Sequence, residues 1–376
     1  MGLGLVTLKF LYPATHWSTR AESFLIGICI FAAMLLALFL KRRLFGAFAY
    51  SDVAIPLLFL TLMQYETFIG PTNPAYSALP LLLILLYCSA LLIGNRILRY
   101  GLILLLNFLL IYTGFGLFMG GVTIAVLGLE CYWNLRRAGR APLAQSVGAL
   151  LIACASLGSF FTHYQFAPAV DCFEFPYHSP VAYPWFLALL FSAFLGPRRP
   201  VLLVTAIGAV VLVAAVVVLI IQGYRLCKSE HDRVSLIGFV LLSYSLLFSL
   251  NAAIGRVCLG LPDAAQAPRY STLLIPAYLG IYFYLLSVSR SQVRNFALAL
   301  FLILIVPGGL VIPNYAGHKL ADGKRAWATC FLQSHDVTYC DQTTRFTIYP
   351  QPEQTGLRQK LEFLEARRLS FFYELR

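Results

Sequence analysis

Apolar runs close to the length that spans a bilayer recur along most of this chain, and they dictate its fold class. A helix needs about twenty apolar residues to cross the hydrocarbon core. Residues 24–40, 53–69, 78–94, 145–164, 201–222, 234–255, 272–289 and 296–312 approach that length with few charges. Backbone polar groups in hydrocarbon must all be satisfied within the protein, so such runs are read as helices. A hydrophobic share of 60% and a mean hydropathy of +0.78 exceed what the interior of a soluble domain can hide. The chain is therefore expected to be all-α, a polytopic transmembrane helical bundle.

Two stretches depart from the simple pattern. Residues 101–133 are too long for one crossing and carry Gly114 and Gly116 at their middle. They read as two short helices that rise and return near Arg136, Arg137 and Arg140. Residues 185–196 have about half the length of a crossing and read as a half-helix that dips in and returns. With that choice thirteen cations, from Lys41 to Arg294, share one face in short loops. Six others (Lys9, Arg20, Arg198, Arg199, Arg256 and Arg269) lie opposite. The positive-inside rule makes the richer face cytoplasmic.

The expectation is about ten crossings plus the half-helix, with both termini extracytoplasmic. An N-terminal segment covers residues 1–23, the transmembrane domain 24–312, and a small extracytoplasmic C-terminal tail 313–376. Residues 1–20 lack the basic start and continuous apolar segment of a signal peptide. In the tail, Leu357, Leu361, Leu364 and Leu369 fall at helical spacing within 356–372, the pattern of an amphipathic helix lying on the membrane or on the domain. Cys330 and Cys340 would meet an oxidising compartment there, where a disulfide can form.

Composition also excludes several functions. The net charge of +12 sits mostly in loops between spans, so topology accounts for it and nucleic acid is not an expected partner. The nine cysteines include no C-x-x-C pair. Neither a Walker sequence, a dinucleotide fingerprint nor a serine nucleophile elbow is present. Gly116 and Gly120 have the spacing of close helix packing rather than of a cofactor loop.

Chemistry concentrates in the polar segments between spans. Residues 251–272 hold Arg256 and Arg269 amid hydrocarbon, and Gly255, Gly260 and Pro262 break the helix there. Either these guanidiniums snorkel to lipid headgroups or they hold a lipid-linked phosphate, which their planar forks suit. Glu66, beside Gln64 and Tyr65, is either a partner for one of these arginines or a contact to a sugar hydroxyl or acceptor. Residues 165–184 carry Asp171 and Glu174, flanked by His163 and His178. Carboxylates beside imidazoles suit a general base or acid, or a divalent cation, but the spacing matches no metal motif. The alternative is that they are merely solvated.

Together Gln64, Tyr65, Glu66, Thr67 and Phe68, then His163, Tyr164 and Gln165, then Gly255 and Arg256 with Pro268, Arg269 and Tyr270, resemble segments of bacterial polytopic membrane proteins related to GT-C glycosyltransferases. The resemblance implies a GT-C-like bundle in the bacterial cytoplasmic (inner) membrane. Its cavity would face outward and take a polyprenyl-phosphate-linked sugar as donor. It implies donor-phosphate contacts for Arg256 and Arg269. Tyr270, Gln64, His163 and His178 complete the candidate substrate-binding set, and Glu66, Asp171 and Glu174 are the candidate catalytic carboxylates. No metal-ligand set is assigned, and the cofactor stays open, a divalent cation included.

GT-C enzymes carry an acidic catalytic residue in a long first outer loop after an initial transmembrane helix. Residues 1–23 read like the end of such a loop and hold only Glu22, so a first helix and the catalytic acid are expected to be missing upstream. Two other classes stay open. One is a transporter or flippase of a lipid-linked substrate, which should show inverted repeats. The other is a catalytically inactive membrane scaffold subunit.

Overall fold

The structure is a computed structural model, which describes residues 2–70, 74–137, 140–162, 164–166, 170–196, 200–228, 232–310, 314–349 and 356–374. Every regular element among them is helical. The helices are α1 (Gly2–Ala14), α2 (Thr19–Phe45), α3 (Ala54–Phe59), α4 (Tyr65–Ile69), α5 (Leu79–Ala90), α6 (Arg96–Ile111), α7 (Phe118–Arg136), α8 (Arg140–Phe161) and α9 (Ala182–Phe191). They continue with α10 (Val201–Lys228), α11 (Arg233–Arg256), α12 (Ser271–Leu286), α13 (Ser291–Leu310), α14 (Asn314–Ser334), α15 (Val337–Thr344), α16 (Leu357–Ala366) and α17 (Phe371–Glu374).

Seven segments among the described residues are long and apolar enough to cross a membrane: Thr19–Phe45, Tyr50–Ile69, Phe115–Arg136, Ala141–Phe161, Val201–Lys228, Arg233–Leu259 and Ser291–Leu310. The other three expected crossings correspond to α5, α6 and α12, which have 12, 16 and 16 residues. The long run 101–133 does divide in two, with α6 and α7 meeting at a short turn around Thr113 and Gly114.

The chain falls into two compact units. The first comprises residues 1–4 and 26–311, and the second residues 5–25 and 312–376. At the centre of the first, α11 packs along α12, whose first thirteen residues are all buried. Pro276 interrupts the α12 ladder, and a side chain from α11 enters beside it. Ser245 Oγ donates to the Leu273 carbonyl at 2.9 Å and accepts from the Ala277 N–H at 3.1 Å. Gly280 makes the close approach possible, since a Cβ there would lie 3.0 Å from Leu242.

Residues 53–69, expected as one continuous span, are instead a broken helix. The segment is helical to Phe59, extended at Thr61 and helical again through Ile69. No Gly or Pro marks the break; a tertiary contact holds it. Thr61 Oγ1 donates to the Gly308 carbonyl at 3.0 Å and accepts from the Met63 N–H at 3.1 Å. The Gln64 amide donates to the Phe59 carbonyl. A backbone freed at this depth needs such partners because lipid offers none.

The short helix α9 runs parallel to α10. Trp185 Nε1 donates to Thr205 Oγ1 at 3.3 Å, and Gly208 abuts the Ala188 carbonyl, so both pairs are offset by 20 residues (205 − 185, 208 − 188). The chain reverses after α9 at a 3-10 turn ending in Gly196, whose φ of +79° favours glycine.

In the second unit, Trp327, Phe331, Cys340, Leu361 and Phe372 form a small core. The N-terminal segment and the C-terminal tail, expected separately, pack together here. The rings of His16 and Tyr373 stack at 4.5 Å, and the Ser370 N–H donates to the His16 carbonyl at 2.8 Å. The amphipathic helix expected over 356–372 is the shorter α16, with Leu361 turned into this core. A disulfide joins Cys330 and Cys340.

Candidate functional site

The first unit has two polar ends. α2 ends at Phe45, the broken helix then runs from Tyr50 to Ile69, and Glu66 therefore lies at the opposite end from Lys41 and Asp52.

At the Glu66 end, residues far apart in sequence meet. Arg269 Nη1 lies 3.2 Å from Glu66 Oε2. Its guanidinium also sits 5.3 Å from the ring of Tyr270, which is buried edge-on to Phe248 at 6.0 Å. The pair is partly open, with side-chain exposures of 47% for Arg269 and 29% for Glu66, so water screens it. Beneath it, Thr272 Oγ1 lies 2.8 Å from both Gln64 Oε1 and Thr67 Oγ1. Gln64 is fully buried and both ends of its amide are bonded within the protein. It braces the break and the start of α12 rather than facing the loops.

A covalent link brings the other loop in. Cys172 is bonded to Cys258, with 5.8 Å between their Cα atoms. Asp171 precedes the first of these cysteines, and Arg256 stands two residues before the second. Arg256 is half-buried and has no hydrogen-bond or ion-pair partner among the described residues. Its backbone turns at φ −135° as α11 passes into a 3-10 turn over Val257–Leu259. Asp171 is exposed. Glu174 Oε2 lies 3.2 Å from His178 Nδ1 within its own loop, both side chains largely in water. His163 lies outside the described residues. Among those described, no group of three His, Cys, Asp or Glu side chains is arranged to hold a metal ion.

Sequence reading missed the Cys172–Cys258 pair and the polar networks at the opposite end. Lys41 Nζ lies 2.7 Å from Asp52 Oδ2, and Tyr282 donates to Asp52 Oδ1 at 2.6 Å. Arg99 Nη2 lies 3.4 Å from Glu130 Oε1, and the Tyr100 hydroxyl donates to Glu130 Oε2. One signal was available, since Glu130 is the only acidic residue in the apolar run 101–133.

Comparison with protein-family models, curated proteins and solved structures finds no match to this chain.

Proposed function

We propose that the chain is a GT-C-like membrane glycosyltransferase whose Glu66–Arg269 end takes a polyprenyl-phosphate-linked sugar and passes the sugar to an acceptor hydroxyl in the envelope. The observation that carries the reading is Arg256. A half-buried guanidinium without an anion is costly, and this one sits on a loop anchored by the Cys172–Cys258 bond and the Arg269–Glu66 pair. A phosphate entering there supplies the missing acceptor, and its negative charge grows as the sugar leaves. Arg269, partly open to water, is the second cation. Glu66, or Asp171 beside the disulfide, is the base that takes the acceptor's proton.

Two observations support an envelope-facing Glu66–Arg269 end. The cation count makes the opposite end cytoplasmic. All four bonded cysteines belong to segments that count places outside, where disulfides persist. Ten crossings result if α5, α6 and α12 cross with local thinning of the bilayer and α9 enters and returns beside α10. Both termini are then extracytoplasmic.

The test is transfer of radiolabelled sugar from a panel of polyprenyl-phosphate donors by the purified protein in nanodiscs. Arg256→Ala abolishes transfer while the protein remains folded in the membrane; unchanged turnover removes the assigned role. A second reading, a carrier for a lipid-linked substrate, is favoured by the broken helix 54–69 and the short α9, because discontinuous helices line carrier sites. Movement of labelled lipid across a proteoliposome bilayer without sugar transfer would select it.

A further inference from the structure

At the Lys41 end of the first unit, away from Arg256, a cavity of about 150 Å³ is bordered by Arg96, Arg99, Arg137 and Arg233, with Glu130 and Trp133. Among the described residues, four arginines and one carboxylate border it. That carboxylate already accepts from the Tyr100 hydroxyl. Asp232, next to Arg233, is not among the residues that border the cavity; its oxygens cap α11, accepting from the Ser235 N–H at 2.9 Å and the Ser235 hydroxyl at 2.6 Å.

Arg99 is the decisive residue. Its side chain is 9% exposed, yet each of its hydrogen-bond contacts is long: 3.4 Å to the Ile93 carbonyl and 3.5 Å to Glu130 Oε2. Its Nε is buried with no partner. A buried N–H left unmade is expensive, and converging guanidinium forks match the oxygens of a phosphate.

The space alongside gives the rest of the ligand. An apolar groove of about 480 Å³ runs between α7, α10 and α11, bordered by Val122, Ala125, Val216, Leu219 and Phe239. Ala125 is five residues before Glu130 on α7, and Phe239 six after Arg233 on α11. Each step is under two helical turns, or roughly 7–9 Å. A basic cavity and an apolar groove are therefore bordered by the same two helices at successive depths, an arrangement that suits the headgroup and tail of a phospholipid.

We propose that this end of the bundle holds an anionic phospholipid, its phosphate among Arg96, Arg99, Arg137 and Arg233 and an acyl chain in the α7–α11 groove. Basic pockets between spans on the cytoplasmic side are suited to such headgroups. The site is separate from the one at Arg256 and does not depend on what that site does.

The experiment follows the melting of the full chain in a neutral detergent as phosphatidylglycerol, phosphatidylcholine or inorganic phosphate is added, with native mass spectrometry to count retained lipid. Phosphatidylglycerol raises the melting temperature saturably while phosphatidylcholine and phosphate do not. Arg96→Gln with Arg137→Gln, both toward the open rim, weakens phosphatidylglycerol about tenfold. Ala125→Phe, which fills the groove, weakens it without touching the cations. Equal effects of the two lipids, an unaltered affinity in either variant, or full stabilisation by inorganic phosphate alone would each overturn the lipid assignment, the last by transferring the cavity to a soluble phosphate.

Discussion

Lys41 and Asp52 form an ion pair 2.7 Å long at a place where their side chains are 2% and 7% exposed. The ammonium also donates to the Ala47 carbonyl at 2.6 Å, and the carboxylate accepts from the Ala49 N–H at 2.8 Å and from Tyr282. The pair thereby joins the end of α2, the start of the broken helix and the last turns of α12. Removing one member strands the other charge, which in buried pairs costs about 3–5 kcal/mol. Lys41→Met should accordingly lower the melting temperature sharply. Asp52→Asn in the same chain removes the stranded charge while its amide oxygen can still accept from the Ala49 N–H and its NH2 can donate to the Tyr282 hydroxyl, so the double variant should melt above Lys41→Met alone. Strict additivity in this cycle would show that the two residues do not interact.

A second stability prediction concerns the parallel contact of α9 and α10. A Cβ on Gly208 would lie 1.9 Å from the Ala188 carbonyl oxygen and 2.9 Å from its carbon. Backbone cannot give way as a flexible side chain would, so Gly208→Ala should cost about 1–3 kcal/mol by overpacking. Gly128 on α7 is the control, since nothing lies within 4 Å of a Cβ there. Gly128→Ala should be neutral or stabilising by up to about 1 kcal/mol through helix propensity. Equal melting temperatures for the two variants would mean that α9 does not lie against α10 this closely.

How much of this was legible in the sequence depends on the range of the interaction that decides each feature. The apolar runs and the division at Gly114 depend on local composition and could be read directly. The meeting of Glu66 with Arg269 could be anticipated as one of two options for Glu66, because a carboxylate at a membrane boundary needs a counter-charge or water. The break at Thr61 could not. Its residues carry no breaker, and the partner that satisfies it, Gly308, is 247 positions away. The Cys172–Cys258 bond was equally hidden, since nine cysteines permit many pairings and only the fold selects one. The arginine cavity was missed for a different reason. Arg96, Arg99, Arg137 and Arg233 were each accounted for as topology signals, and only the packing of α6, α7 and α11 brings them around one hollow.

The second unit should respond to alkaline pH through Tyr12. Burial, and then the Glu22 carboxylate to which its hydroxyl donates, push the Tyr12 hydroxyl from its ordinary value of 10.0 up to about 12. Between those values the unfolded chain has lost this proton while the folded chain keeps it. The contribution is therefore complete below pH 10 and disappears as the pH rises toward 12. The side chain is partly open to water, which reduces the effect to roughly 1 kcal/mol. Tyr12→Phe should flatten the alkaline limb of a denaturant-midpoint curve. Fluorescence in a Trp133→Phe and Trp185→Phe background isolates the unit, because Trp17 and Trp327 then remain. An alkaline limb unchanged by Tyr12→Phe would assign the loss to other groups.

The cysteines allow connectivity and orientation to be checked together. Of nine, Cys172–Cys258 and Cys330–Cys340 are bonded, and Cys29, Cys88, Cys131, Cys154 and Cys227 are free. Alkylation of the denatured, unreduced protein should add five groups, and alkylation after reduction nine. More than five before reduction would mean that a bridge is open. Cys227 is exposed in the last turn of α10, between Arg225 and Lys228, at the end the cation count assigns to the cytoplasm. A membrane-impermeant maleimide should leave it unmodified in intact spheroplasts and modify it in inverted vesicles. The opposite result would turn the bundle over, placing Arg256 and Arg269 in the cytoplasm and removing the envelope-facing reaction proposed for them.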